Sequence, residues 1–282
     1  MNILFVIVHH WNPNGSGTHQ SLRPDPLPRI CALQSQINSL LRFGPNQSVF
    51  HLKDRAVYRS NLSLKNNISI QIVTDGVNHV LDKINPSFGQ SFQHIKVDII
   101  NPKLLGFEAH KILAENLALD FDYYCFLEDD LILNDPLFFE KLKYFDSLMG
   151  PEYVLFPNRY EQPAFPHPVD ILYIDGPLHE SEFRFMKKDS NSTLVLPWYP
   201  ESIPFCTPSN PHSGCFFLTK SQLEYWSSRS YWLDYDTSFI SPLESSATLG
   251  VAKTFKIYKP CPDFASWFHV QHFGDSFHSL IQ

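Results

Sequence analysis

The chain has 282 residues, 43% of them hydrophobic and 15% aromatic, with a formal net charge of −7. That size and apolar content argue for a folded protein, either one large α/β domain or two fused lobes. An acidic balance without a Lys or Arg cluster lacks the footprint of a nucleic-acid partner, and no run approaches the ~20 apolar residues of a transmembrane segment.

Residues 3–8 form a continuous apolar run rich in β-formers, the pattern of a strand buried on both faces. The run is too short for a signal-peptide core and stops at His9-His10. Residues 11–17, with Gly15 and Gly17, read as a loop; no Gly-Lys-Ser/Thr follows to make a phosphate loop. From Pro28 to Phe43 the apolar residues Ile30, Leu33, Ile37, Leu40 and Leu41 keep a helical period that ends at Gly44-Pro45. Asn67 to Thr74 alternates as a strand and stops at Asp75-Gly76, and a shorter strand is predicted over 95–100. A helix over 107–119, with Phe107, Ile112, Leu113 and Leu117 on its apolar face, leads into the run 123–133. A further helix over 136–148 starts at Asn134-Asp135-Pro136, a capping residue and a first-turn proline.

This alternation predicts an α/β fold with a mainly parallel sheet flanked by helices. A single domain is expected over 1–282, with a binding half at 1–133 and a loop-rich second half at 134–282. There, prolines from Pro157 to Pro211, Pro166 among them, interrupt short strands such as 153–156 and 171–174. Ligands of such sheets bind beyond the carboxyl ends of the strands, where His9-His10, Asp75 and Glu128-Asp129-Asp130 fall. Three adjacent carboxylates at a buried strand end repel one another and lose hydration, a conflict that a divalent cation removes. The alternative is an acidic loop that merely follows the strand. In an extended strand Glu128 and Asp130 point one way and Asp129 the other.

The five cysteines, Cys31, Cys125, Cys206, Cys215 and Cys261, are odd in number and lack metal-ligand spacing. They read as free thiols in a reducing, cytoplasmic setting. The N-glycosylation triplets at Asn46, Asn61, Asn67 and Asn191 carry weight only in a secreted chain.

Leu105-Gly106-Phe107, the helix through Ala118 and the strand end Phe126-Leu127-Glu128-Asp129-Asp130 together resemble the GT-A class of glycosyltransferases, particularly the inverting family two. The resemblance implies a GT-A (Rossmann-like) fold and metal-dependent transfer of a sugar. The donor would be a nucleotide-diphosphate sugar and the acceptor a hydroxyl of a glycan or another molecule. It makes Asp130 the ligand of Mn²⁺ or Mg²⁺, hard cations that prefer oxygen, and makes Glu128 and Asp129 contacts to the ribose, the sugar or metal-bound water. His9 and Asp75 would hold the nucleotide, although Asp75-Gly76 is equally a turn sequence.

Val270 to Ser276 resembles the tail of many such enzymes, where a histidine completes the metal site. His272 is the candidate and His269 the reserve, because imidazole suits Mn²⁺. Glu244 stands where inverting enzymes place the catalytic base, but the second acidic residue of that pattern is absent; the alternative is a helix-start charge. Gly214 would permit close approach on the acceptor side, and Trp226, Tyr231, Trp232 and Tyr235 would stack on a sugar or pack in the core. The rival readings are a nucleotidyltransferase or sugar-nucleotide hydrolase, and a GT-A-like module that binds without turnover.

Overall fold

The computed structural model describes residues 1–15, 20–63, 66–165 and 167–281, so Gly17 and Pro166 lie outside the described residues. β1 (Asn2–Val8) is the strand that the first apolar run predicts. Its alternation explains why no position after Asn2 is polar: Ile3, Phe5 and Ile7 enter one core and Leu4, Val6 and Val8 the other. α1 (Leu27–Leu41) closes the first core with Leu33, Ile37 and Leu40. A hairpin of β2 (Ser48–His51) and β3 (Ala56–Arg59) follows, pairing only with itself. β4 (Asn67–Thr74) and β5 (Gln93–Lys96) extend the main sheet, the latter ending short of the predicted 95–100. α2 (Leu105–Glu115) closes the second core with Leu105, Ala109 and Leu113. Gly106 opens this helix where a Cβ would stand 2.0 Å from Ser246 Oγ, so the glycine serves close packing of two helices. β6 (Tyr123–Glu128) is buried at every position.

The rest of the chain supplies β7 (Leu131–Ile132), α3 (Phe138–Met149), β8 (Tyr153–Leu155), β9 (Asn158–Glu161), β10 (Leu172–Tyr173), β11 (Thr193–Trp198) and β12 (Glu201–Cys206). It closes with β13 (Cys215–Thr219), α4 (Lys220–Ser227), α5 (Pro242–Thr254), β14 (Lys256–Pro260) and β15 (His269–His272). The main sheet runs β13-β6-β1-β4-β5, parallel except for β13. The mainly parallel sheet flanked by helices is therefore present. The chain leaves β1 for β4 and β5, then returns to β6 on the other side of β1, so the carboxyl ends of β1, β4 and β6 converge on one edge.

Two further sheets occupy the second half: β10-β9-β15-β7 and β11-β12-β14-β8. β15 pairs antiparallel with β7, placing His272 opposite Leu131, and parallel with β9. The β11–β12 hairpin folds back so that Cys206 lies opposite Lys259 on β14. That juxtaposition corrects the reading of five free thiols. Cys206 and Cys261, 55 residues apart, form a disulfide with Cα atoms 5.1 Å apart, and Cys31, Cys125 and Cys215 are free. Strand pairing rather than sequence spacing creates the pair, and it removes the free-thiol argument for a reducing, cytoplasmic setting. Among the described residues, no helix is long and apolar enough to cross a membrane.

Candidate active site

β6 ends at Glu128, and Asp129 and Asp130 form a turn. Strand alternation therefore stops one residue into the triplet, and the expected pairing of Glu128 with Asp130 on one side gives way to a different division. Asp129 and Asp130 share one guanidinium, while Glu128 turns toward β13 and α5.

Arg29, in the first turn of α1, donates from Nη1 to Asp129 Oδ1 at 2.7 Å and to Asp130 Oδ2 at 3.1 Å, with Nη2 3.3 Å from the latter. His9 is fully buried; its Nδ1 lies 2.5 Å from Asp129 Oδ2, and its Nε2 accepts from the Val80 amide at 3.0 Å. The accepting Nε2 fixes the proton on Nδ1 and leaves no ring nitrogen for a nucleotide. Both Asp129 oxygens are likewise engaged within the protein. The expected donor contacts of His9 and Asp129 thus become a brace for the strand end. Burial would raise the Asp129 carboxyl, but Arg29 and then His9 outweigh it and hold it below its ordinary value.

Glu128 is 7% exposed and is pushed up to about 8. Burial is the main cause; Arg159 opposes it, and the charges of Asp130, Glu244 and Asp129 reinforce it. Its Oε1 has no hydrogen-bond partner and lies 3.8 Å from His212 Nε2. Gly214, at φ +65°, runs so close that a Cβ there would stand 2.8 Å from Glu128 Oε2. Glycine is required twice over, by the left-handed backbone and by the buried Glu128 side chain. The close approach at Gly214 is real, but Glu128 fills it.

Behind Glu128 is a buried ion network that sequence reasoning misses. Arg159 on β9 reaches Asp175 Oδ1 from Nη2 at 2.7 Å, and Lys259 on β14 reaches Asp175 Oδ2 at 3.0 Å and the His212 carbonyl at 2.6 Å. Burial favours a neutral Asp175, yet Arg159 and Lys259 hold its carboxyl far below the usual range. Burial pushes the His212 imidazole well down, with Arg159 adding to it, so that ring is neutral.

His272 faces Asp130 from β15, its Nε2 3.6 Å from Asp130 Oδ2, and the Phe273 amide donates to the Asp130 carbonyl. Its Nδ1 lies 2.9 Å from Glu161 Oε1. Glu161 is fully buried and also accepts from Ser276 Oγ and the amides of Phe277 and His278. Burial would raise its carboxyl, but the His272 and His278 hydrogen bonds bring it down to about 2. An ionised carboxylate only accepts, so Nδ1 donates to Glu161 and the ring is held with Nε2 facing Asp130. His269 lies at the far end of β15, its ring against Tyr160 at 4.5 Å, and does not reach Asp130.

Glu244 stands in the first turn of α5, half-buried, and accepts a hydrogen bond from the Ser241 hydroxyl just before the helix. It belongs to the helix start and also lies near enough to Glu128 for its charge to be felt there. Asp75 does what a turn residue does. Its Oδ1 accepts from the Val77 and Asn78 amides at 3.0 and 2.7 Å and its Oδ2 from Asn78 Nδ2 at 2.8 Å, with His10 Nε2 3.8 Å away. Trp226 and Trp232 pack on the buried His110, at 4.9 and 5.9 Å, so these rings are core.

Among the described residues, no three His, Cys, Asp or Glu side chains form a cluster that could hold a metal ion by themselves. A smaller donor set does fit one. Asp130 Oδ1 is buried without a partner, and His272 Nε2 points at the same carboxylate. One carboxylate and one imidazole suit Mn²⁺ or Mg²⁺ that draw their remaining ligands from phosphate and water.

No protein-family model and no curated protein matches the chain. Among solved structures it is similar to S. aureus TarS 1-349 in complex with UDP, with a TM-score of 0.48 and 8% identity over 96% of this chain and 60% of that one. The chain thus spans about three fifths of that structure's length. It is also similar to a mannose-1-phosphate geranyltransferase from Thermus thermophilus, with a TM-score of 0.42 and 10% identity over 92% of this chain and 73% of that one. TarS 1-349 in complex with UDP-GlcNAc matches with a TM-score of 0.40 and 10% identity over 92% of this chain and 58% of that one.

Proposed function

We propose that this chain is a GT-A-like transferase that moves a sugar from a nucleotide-diphosphate sugar to an acceptor hydroxyl. The observation that carries the reading is the convergence of Asp130 and His272, 142 residues apart in sequence, at the carboxyl edge of the parallel sheet, with one Asp130 oxygen unpartnered and a His272 ring nitrogen turned to the same carboxylate. Asp130 Oδ1 and His272 Nε2 would hold Mn²⁺ or Mg²⁺, which when bound supplies positive charge against the departing diphosphate. Arg29 and His9 keep Asp129 and Asp130 in place, so the site does not reorganise as charge develops.

Glu244, near Glu128 on the α5 side, is the base that takes the acceptor proton. Attack by that acceptor from the face away from the diphosphate inverts the anomeric carbon. The test is a thermal-shift screen of nucleoside diphosphates and their sugars with Mn²⁺ and with chelator, followed by product analysis. A donor that raises the midpoint only with metal, and then yields nucleoside diphosphate and a lengthened acceptor, supports the reading. Absence of a shift with every nucleotide overturns it.

A further inference from the structure

The β2–β3 hairpin stands apart from every other sheet and is exposed on both faces. Strand pairing puts Val49 beside Tyr58 on one face and Phe50 beside Val57 on the other, with Leu52 at the tip. The exposures of Val49, Tyr58, Phe50, Val57 and Leu52 are 54%, 50%, 58%, 66% and 80%. A two-stranded hairpin in water, with no core under it, is marginal, and this one spends its large side chains on solvent.

Its charge is equally distinctive. Residues 42–63 carry Arg42, Lys53, Arg55 and Arg59 against Asp54, a net +3 in a chain of net −7, so the remainder carries −10. The single carboxylate is engaged locally, Asp54 Oδ2 lying 2.9 Å from His51 Nδ1. Among the described residues, Lys53, Arg55 and Arg59 have no ion-pair partner.

We infer that this hairpin docks the protein on an anionic lipid surface. A flat protein partner would cover one face, whereas the headgroup layer surrounds an inserted hairpin and takes apolar side chains from both. Phe50, Leu52, Val57 and Tyr58 enter the boundary between headgroups and acyl chains, and Lys53, Arg55 and Arg59 extend their stems to lipid phosphates. The acidic remainder is repelled by the same surface, which leaves the hairpin as the contact. The orientation follows from α1. Its first turn carries Arg29 into the carboxylate site and its last turn leads to the hairpin, so the docked surface and the site lie about 20 Å apart at opposite ends of that helix. The site faces water while the hairpin is inserted.

Vesicle flotation tests this with phosphatidylcholine alone and with phosphatidylcholine containing a third phosphatidylserine, at low and high salt. The protein should float with the anionic vesicles at low salt, and at least about tenfold less with neutral vesicles or high salt. The double variants Phe50→Ser/Leu52→Ser and Lys53→Glu/Arg55→Glu should each lose flotation by a similar factor. Because these side chains are exposed, the unfolding midpoint should stay unchanged, and it is measured alongside. Failure of the wild type to float, equal flotation with both vesicle types, or variants that float like the wild type would overturn the inference. So would a concentration-dependent dimer in sedimentation that the same variants abolish, since a second copy would then cover the hairpin.

Discussion

Replacing Glu161 with Gln tests how the second half of the chain holds the site. The carboxylate accepts from His272, Ser276, Phe277 and His278 in a fully buried position and sits at about 2 instead of its ordinary 4.5. Holding the carboxyl that far down corresponds to about 3 kcal/mol of stability from the ionised form. The folded pKa lies below the unfolded one, so this stability is present above 4.5 and is lost as pH falls toward 2. Urea unfolding should place Glu161→Gln about 3 kcal/mol below the wild type near pH 7, and the gap should close to roughly 1 kcal/mol near pH 3. A gap that is the same at both pH values would refute the electrostatic account and leave only lost packing. The variant also leaves His272 Nδ1 with a neutral acceptor in place of a charged one, and Mn²⁺ binding should weaken by about 10- to 100-fold if that ring is the ligand.

Arg29→Met leaves Asp129 and Asp130 without their shared cation, and urea unfolding should show a loss of roughly 3–5 kcal/mol; a loss below about 1 kcal/mol would mean the pair is well solvated. Asp146→Asn should act in the opposite direction. Burial pushes that carboxyl up to about 7, the Tyr123 hydroxyl opposing it, so its stability is present below 3.8 and lost as pH rises toward 7. The Asn variant should be more stable than the wild type by up to about 4 kcal/mol near pH 8 and equal to it below about pH 4, as read from unfolding midpoints across pH. Thiol titration of the denatured, unreduced protein should count three groups per chain and, after reduction, five; five before reduction would remove the disulfide.

The first half of the fold is legible because its periodicities are long and uninterrupted. The run 3–8, the helical repeat through Leu33, Ile37 and Leu40, and the buried strand before Glu128 each become the element they predict. The second half is less legible because its strands are short and paired at a distance. Nothing in Asn158 to Glu161 marks a strand between β10 and β15, and Arg159 and Glu161 read locally as surface charges. One overlooked residue did carry a signal. Arg29 shares the helical stripe of Leu33, Ile37 and Leu40, and a cation on an apolar face must meet a buried anion. The triplet itself was recognisable, but its partners were not: the electrostatic conflict is met on one side by Arg29 and His9 and, for Glu128, by a raised pKa.

The placement of β15 also sets the order in which the molecule can become competent. The main sheet needs only residues up to Thr219, and everything that braces Asp129 lies before Leu133. His272 reaches Asp130 only when β15 slots between β9 and β7. Closing that long loop is slow compared with local pairing. A chain emerging from the ribosome would therefore assemble its acidic cluster early and carry it unfinished until β15 had been made. Arg29 covers that interval, holding two carboxylates quiet before the last strand arrives.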